Sequence, residues 1–151
     1  MAADELGDQG PADGRRAGPL NTPARFVVDP GKRLVVVRFG KKVTAEVIEQ
    51  YATRLRQHPL FDLSFSEIAD LSAVEEMDLQ ADEFLRLADA VDPFSPEARR
   101  AFVVHNSVQA HAARMHKALR VDRNFSIFHS LEEAEQWIND QPLAASAQPY
   151  C

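Results

Sequence analysis

Three short polar stretches carry whatever chemistry the sequence offers. Asp70 with Ser72, His105 with Asn106 and Ser107, and His129 with Ser130 each follow an apolar run of strand-like composition. In a parallel sheet the carboxyl ends of neighbouring strands form the usual binding rim, and a helix starting there turns free backbone N–H groups toward an anion. If these strands are neighbours, His105 and His129 approach each other beside Asp70, the least that acid–base work requires. The same residue types are also ordinary helix caps, because Asn, Ser and Asp oxygens accept from the first N–H groups of a helix. A rim that binds and a rim that only caps both remain open.

Other chemical groupings are weaker. His111 and His116 are five residues apart, which turns them ~140° from one another on a helix, so they cannot clamp one metal as an i, i+4 pair would. Glu75-Glu76 and Asp82-Glu83 are adjacent carboxylates, and adjacent helical residues face different directions. The sequence has no Gly-rich phosphate loop, no Gly-x-Ser-x-Gly elbow and no nucleophile with an evident base. No metal, cofactor or enzymatic activity is expected. Ser95-Pro96 reads as loop and Trp137 as core.

Composition sets the frame. The chain has 151 residues, 45% hydrophobic and 26% charged, the balance of one globular domain. Seventeen Lys and Arg stand against 23 Asp and Glu, a net charge of −6, and a negative field repels phosphate backbones. Nucleic acid is therefore not an expected partner. The single cysteine, Cys151, allows no intramolecular disulfide and no Cys-based zinc site, which suits a reducing compartment. No run approaches the ~18 apolar residues of a membrane span, and the acidic start from Met1 to Asp13 lacks the apolar core of a secretory signal. A cytoplasmic protein is expected.

Residues 1–24 are rich in Gly and Pro and nearly devoid of large apolar side chains, and 141–151 have no charge, so both read as flexible tails around a domain at 25–140. Within it, Arg25–Val28 and Arg33–Phe39 read as strands joined through Asp29-Pro30-Gly31, a type II turn with Gly31 at positive φ. Thr44 caps a helix with Val47, Ile48, Tyr51, Ala52 and Leu55 on its inner face, stopped at His58-Pro59. Phe65–Leu71 is a strand. Asp78 is expected to cap a helix whose apolar side is Phe84, Leu85, Ala88 and Val91. Ala101–Val104 is a short buried strand, and Ser107 starts a helix with Val108, Ala112, Met115 and Leu119 inside. Phe125–Phe128 is the last strand, and Ser130 with Glu133 caps a final helix built on Leu131, Ala134, Trp137 and Ile138. The order ββαβαβαβα predicts a single α/β domain with a mainly parallel sheet and an antiparallel first strand at one edge.

That order, with Glu67-Ile68-Ala69-Asp70-Leu71-Ser72, the segment Val74 to Asp78, Arg100 to Val104 through Met115, and Ile127 to Ile138, resembles the STAS fold of anti-sigma-factor antagonists, as found in uncharacterised bacterial STAS-like proteins. The resemblance implies a non-enzymatic protein-interaction or regulatory module, self-associating or bound to another protein, with its contact surface at the rim and the helix after Asp78. Switched members of the family place Ser or Thr just after the capping Asp. Here Leu79, Gln80 and Ala81 follow, so the resemblance implies a surface without that phosphorylation switch, and Ser72 is the one nearby hydroxyl. The related CRAL-TRIO fold implies an alternative, a binder of a small apolar or lipid-like ligand, with Phe61, Phe65, Phe84, Phe94, Phe102 and Phe125 available to line a pocket of a few hundred Å³.

Overall fold

A computed structural model of the chain describes residues 22–119 and 124–140. Of the tails expected at 1–24 and 141–151, only residues 22–24 lie among those described. Ala24 is buried there, and its carbonyl accepts from Arg54 Nη1 at 3.0 Å.

The chain runs β1 (Arg25–Asp29), β2 (Leu34–Arg38), β3 (Lys42–Thr44), α1 (Ala45–Arg56), β4 (Ser66–Asp70), β5 (Glu76–Asp78), α2 (Ala81–Arg86) continuing as a π-helical turn over Leu87–Val91, β6 (Arg99–Val103), α3 (Ser107–Leu119), β7 (Asn124–Phe128) and α4 (Leu131–Asn139). Five strands form one sheet in the order β1-β2-β4-β6-β7. Only the β1–β2 pair is antiparallel, which places β1 at the edge, as the sequence predicts. The expected order holds once two short strands are added: β3 and β5 pair in parallel as a separate ribbon.

Alternation along the strands sorts the side chains onto two faces. Val35, Val37 and Ala69 join Val47, Tyr51 and Leu55 of α1 and Ala113 of α3 in the larger core. Leu34, Ile68, Ala101 and Val103 point the other way, onto Ala134 and Ile138 of α4. Both faces of the central strands are thus covered, which is why their sequences read as apolar runs.

Several local expectations need correction. The positive φ of the β1–β2 turn falls on Arg33, at 53°, and not on Gly31, because the turn lies one residue further along and closes with Arg33 N–H on the Pro30 carbonyl. Asp78 caps no helix. It ends β5, and its carboxylate lies 3.8 Å from Lys42 Nζ, while Gln80 takes the cap position and its N–H donates to Glu83. Ala88 is buried as expected, but Leu85 is 50% exposed and Leu87 takes an inward position in its place. In α3 the inward positions are Gln109, Ala112 and Ala113, and Val108 is 43% exposed.

Candidate functional site

The rim forms where the sequence places it. β4, β6 and β7 are neighbours, so Asp70 with Ser72, His105 to Ser107, and His129 with Ser130 share one end of the sheet. Asp78 stands apart on the β3–β5 ribbon. Almost every rim group is engaged by its own fold. Asp70 is buried, accepts from the Ser72 N–H at 2.9 Å, and pairs with Arg38 of β2, on the side away from β6. Asn106 Oδ1 accepts from Gln109 N–H at 2.9 Å as a helix cap. Ser107 is the exposed first residue of α3. Ser130 Oγ accepts from Glu133 N–H at 3.1 Å, as predicted. His129 Nδ1 lies 3.3 Å from the Val104 carbonyl, and His105, exposed, donates its backbone N–H to Gln109 Oε1. The contacts of Asp70 and His129 run to their own surroundings, to Ser72 and Arg38 and to Val104, and not to one another.

Gln109 organises this end. Its side chain accepts from His105 N–H and donates to the carbonyls of Ser72 and Val74 at 3.2 and 2.8 Å, stitching α3 to the segment between β4 and β5. A buried amide with both ends satisfied is a fixed structural part.

The concentrated chemistry lies inside, beneath α2, where no sequence motif marks it. Glu67 of β4 and Arg100 of β6 are register partners, each 2% exposed. Glu67 Oε1 accepts from Arg100 Nε at 2.8 Å, and Oε2 accepts from the Tyr51 hydroxyl at 2.7 Å. Arg100 also reaches Asp92 Oδ2 at 2.9 Å, and its guanidinium lies 4.4 Å from the Phe94 ring centre. His116 stands 3.7 Å from the same Asp92 oxygen, its ring against Phe102 and Phe125. Burial first, and then the Glu67 carboxylate to which it donates, hold the Tyr51 phenol well above its ordinary pKa of 10.0.

The elements that position this cluster are particular. Tyr51 comes from the inner stripe of α1, and Asp92 from just past the π turn, whose wider winding ends in the Asp92 N–H to Leu87 carbonyl bond. The signal that could have found it is a glutamate in a central strand covered on both faces, since a charge there needs an opposite charge across the ladder.

Above the cluster is a cavity of about 90 Å³, walled by Phe84, Phe94, Phe102, Met77, Leu79 and Leu87 among others, with the Glu67, Arg100, Asp92 and Tyr51 groups at its polar end. It is smaller than the ~300–1,000 Å³ of a drug-sized ligand pocket. Of the six phenylalanines named from sequence, Phe84, Phe94 and Phe102 line it. Phe61 packs edge-on against Phe94 and Phe65, and Phe125 against Phe102, as solid core. Both Glu67 oxygens are engaged within the protein, so the cluster is closed upon itself. Among the described residues no three His, Cys, Asp or Glu side chains are grouped to hold a metal, and no helix is long and apolar enough to cross a membrane.

Known proteins add to this at the level of architecture. No family model and no curated protein matches the chain. A solved structure does: an uncharacterised protein of the DUF3478 family from Shewanella loihica PV-4, described as having a SpoIIAA-like fold, is similar at 17% identity and a TM-score of 0.55. The match covers 77% of this chain and 94% of that one. The five-stranded sheet, its four helices and this likeness together establish a SpoIIAA-like, STAS-like α/β fold.

Proposed function

We propose that the protein is a non-enzymatic interaction module that binds another protein through the face made by α2 and the start of α3. The observation that carries this reading is the pair Leu85 and Val108, apolar side chains 50% and 43% exposed on two helices that pack against each other. Val27, Leu60 and Leu63 are exposed as well, but they lie on the edge strand and in a loop, whereas Leu85 and Val108 belong to two helices in contact. The exposed carboxylates of Glu75, Glu76, Asp78 and Asp82 flank this face, and Lys42 offsets only part of that charge. The matching partner surface is apolar at its centre and basic at its rim, and a second copy of this acidic chain fits it less well.

The face is constitutive in this reading. A switch adds about two negative charges at a helix start, and Leu79, Gln80 and Ala81 offer no hydroxyl to receive them. Incubation with STAS-type serine kinases is expected to leave the start of α2 unmodified by mass spectrometry. Stoichiometric phosphate on Ser72 would restore a switch. The single cysteine suits a cytoplasmic, reducing setting.

A second reading, a small apolar ligand under α2, is favoured by the apolar walls of the 90 Å³ cavity. Such a ligand is far smaller than a lipid. Native mass spectrometry showing a retained lipid-sized mass would argue for a cavity that widens. The test of the leading reading is retention of a partner by the purified protein and its loss on Leu85→Asp with Val108→Asp.

A further inference from the structure

We propose that the pocket at the amino-terminal ends of β4, β6 and β7, opposite the rim, is a site for a small oxyanion, a phosphate or carboxylate group, received by the guanidinium groups of Arg99 and Arg33. The pocket holds about 350 Å³ and lies between the β1–β2 turn, the strand starts and the end of α4. Its walls carry three cations, Lys32, Arg33 and Arg99, against one carboxylate, Glu97, with Ser64, Ser66 and Asn124 as further polar groups.

Arg99 gives the strongest indication. Its guanidinium lies 4.1 Å from the ring centre of Trp137, and its Nε and Nη1 are shut off from water with no hydrogen-bond acceptor. No ion pair joins it to a carboxylate among the described residues. Orphaned guanidinium donors are costly, and burial lowers the pKa of this side chain from the ordinary arginine value. A ligand oxyanion in the pocket would supply the counter-charge that this guanidinium lacks.

Arg33 is an independent pointer. Its positive φ closes the β1–β2 turn, and its guanidinium is a second cation at the pocket wall. Its side chain is held by Ser64, with Nη2 2.6 Å from the hydroxyl, and by the Phe65 face 5.2 Å away. Its carbonyl accepts from Ser66 N–H at 2.9 Å, which ties the turn to the start of β4. These contacts bring the exposed side chain to the pocket wall.

Trp137 is the only tryptophan, so its fluorescence reports on Arg99 directly. The intact chain is titrated with inorganic phosphate and, separately, with acetate, each against chloride at matched ionic strength. A saturable response to either oxyanion beyond that of chloride is expected, and the stronger of the two identifies the class of ligand. Arg99→Gln is expected to weaken it at least tenfold. Arg33→Gly removes the second guanidinium while suiting the positive φ, so it remains folded and is expected to weaken binding several-fold even if Arg99→Gln fails to fold. A response equal to that of chloride, or an affinity unchanged in Arg33→Gly, would overturn the proposal.

Discussion

The rim of the sheet and the space beneath α2 hold similar kinds of residues in opposite circumstances. At the rim, Asn106 and Ser130 spend their oxygens on helix N–H groups, and Asp70 turns back toward Arg38. Beneath α2, Tyr51, Glu67, Arg100 and Asp92 bind one another in a place water scarcely reaches. Polar residues where strands meet helices are accounted for by the geometry of chain reversal. Polar residues in the middle of covered strands have no such excuse, and they persist only as a complete set. The contrast teaches that polar groups at the rim are accounted for by capping and turn geometry, whereas those in the covered strands persist only because they satisfy one another.

The comparison breaks most visibly at Arg100. Arg100→Met leaves Glu67 and Asp92 buried without their cation, and removing one partner of a buried ion pair costs about 3–5 kcal/mol. Urea denaturation is expected to show a loss of that size. A loss under ~1 kcal/mol would mean that water enters the cluster and that the interior resembles the rim after all.

Tyr51→Phe is the next largest change, about 1–2 kcal/mol, because one Glu67 oxygen loses its donor. It also has a pH signature. Tyr51 is neutral in the folded protein and its folded pKa lies above the unfolded one near 10.0, so above that pH the unfolded chain binds fewer protons than the folded chain. The contribution is intact below pH ~10 and is lost progressively as pH rises from there toward the folded value. The stability of Tyr51→Phe is expected to fall less steeply over that alkaline limb. Equal slopes would place the phenol in water.

At the rim the effects shrink. Ser130→Ala removes one cap of α4 and is expected to cost about 1 kcal/mol in thermal or urea unfolding, with partner binding unchanged. A loss of binding with no loss of stability would convert this serine from scaffold to contact.

How much of this was legible follows from which physics is local. Thr44 and Ser130 announce helices because caps act within three residues, and the Thr44 hydroxyl does accept from Val47 N–H. The mainly parallel sheet and its antiparallel edge strand followed from the alternation of element types, while the adjacency of β4, β6 and β7 was only a condition until the structure supplied it. The buried cluster was not legible because its members sit 16 and 33 residues apart, and the expected strand from Ala101 left Arg100 outside the sheet. Asp78 was misread because a strand of three residues, β5, carries too little pattern to be seen beside a good capping residue. Leu85 and Val108 looked like core for the reason that makes them informative now. Periodicity counts apolar residues without knowing which way the helix is rolled, and their neighbours Leu87 and Gln109 took the inward positions.

The most direct test is a comparison of the wild-type chain with the double variant Leu85→Asp, Val108→Asp, purified from the cell that makes it and followed by size-exclusion chromatography with mass spectrometry of bound protein. Both positions are exposed, so each substitution is expected to alter stability by no more than ~0.5 kcal/mol, checked by urea unfolding. The expected result is a specific protein held by the wild type, released progressively by salt as an acidic flank requires, and absent from the double variant while its fold is intact. A partner retained equally by both forms, or a wild type that is partner-free under every condition, would contradict the assignment of the α2–α3 face as the working surface of the protein.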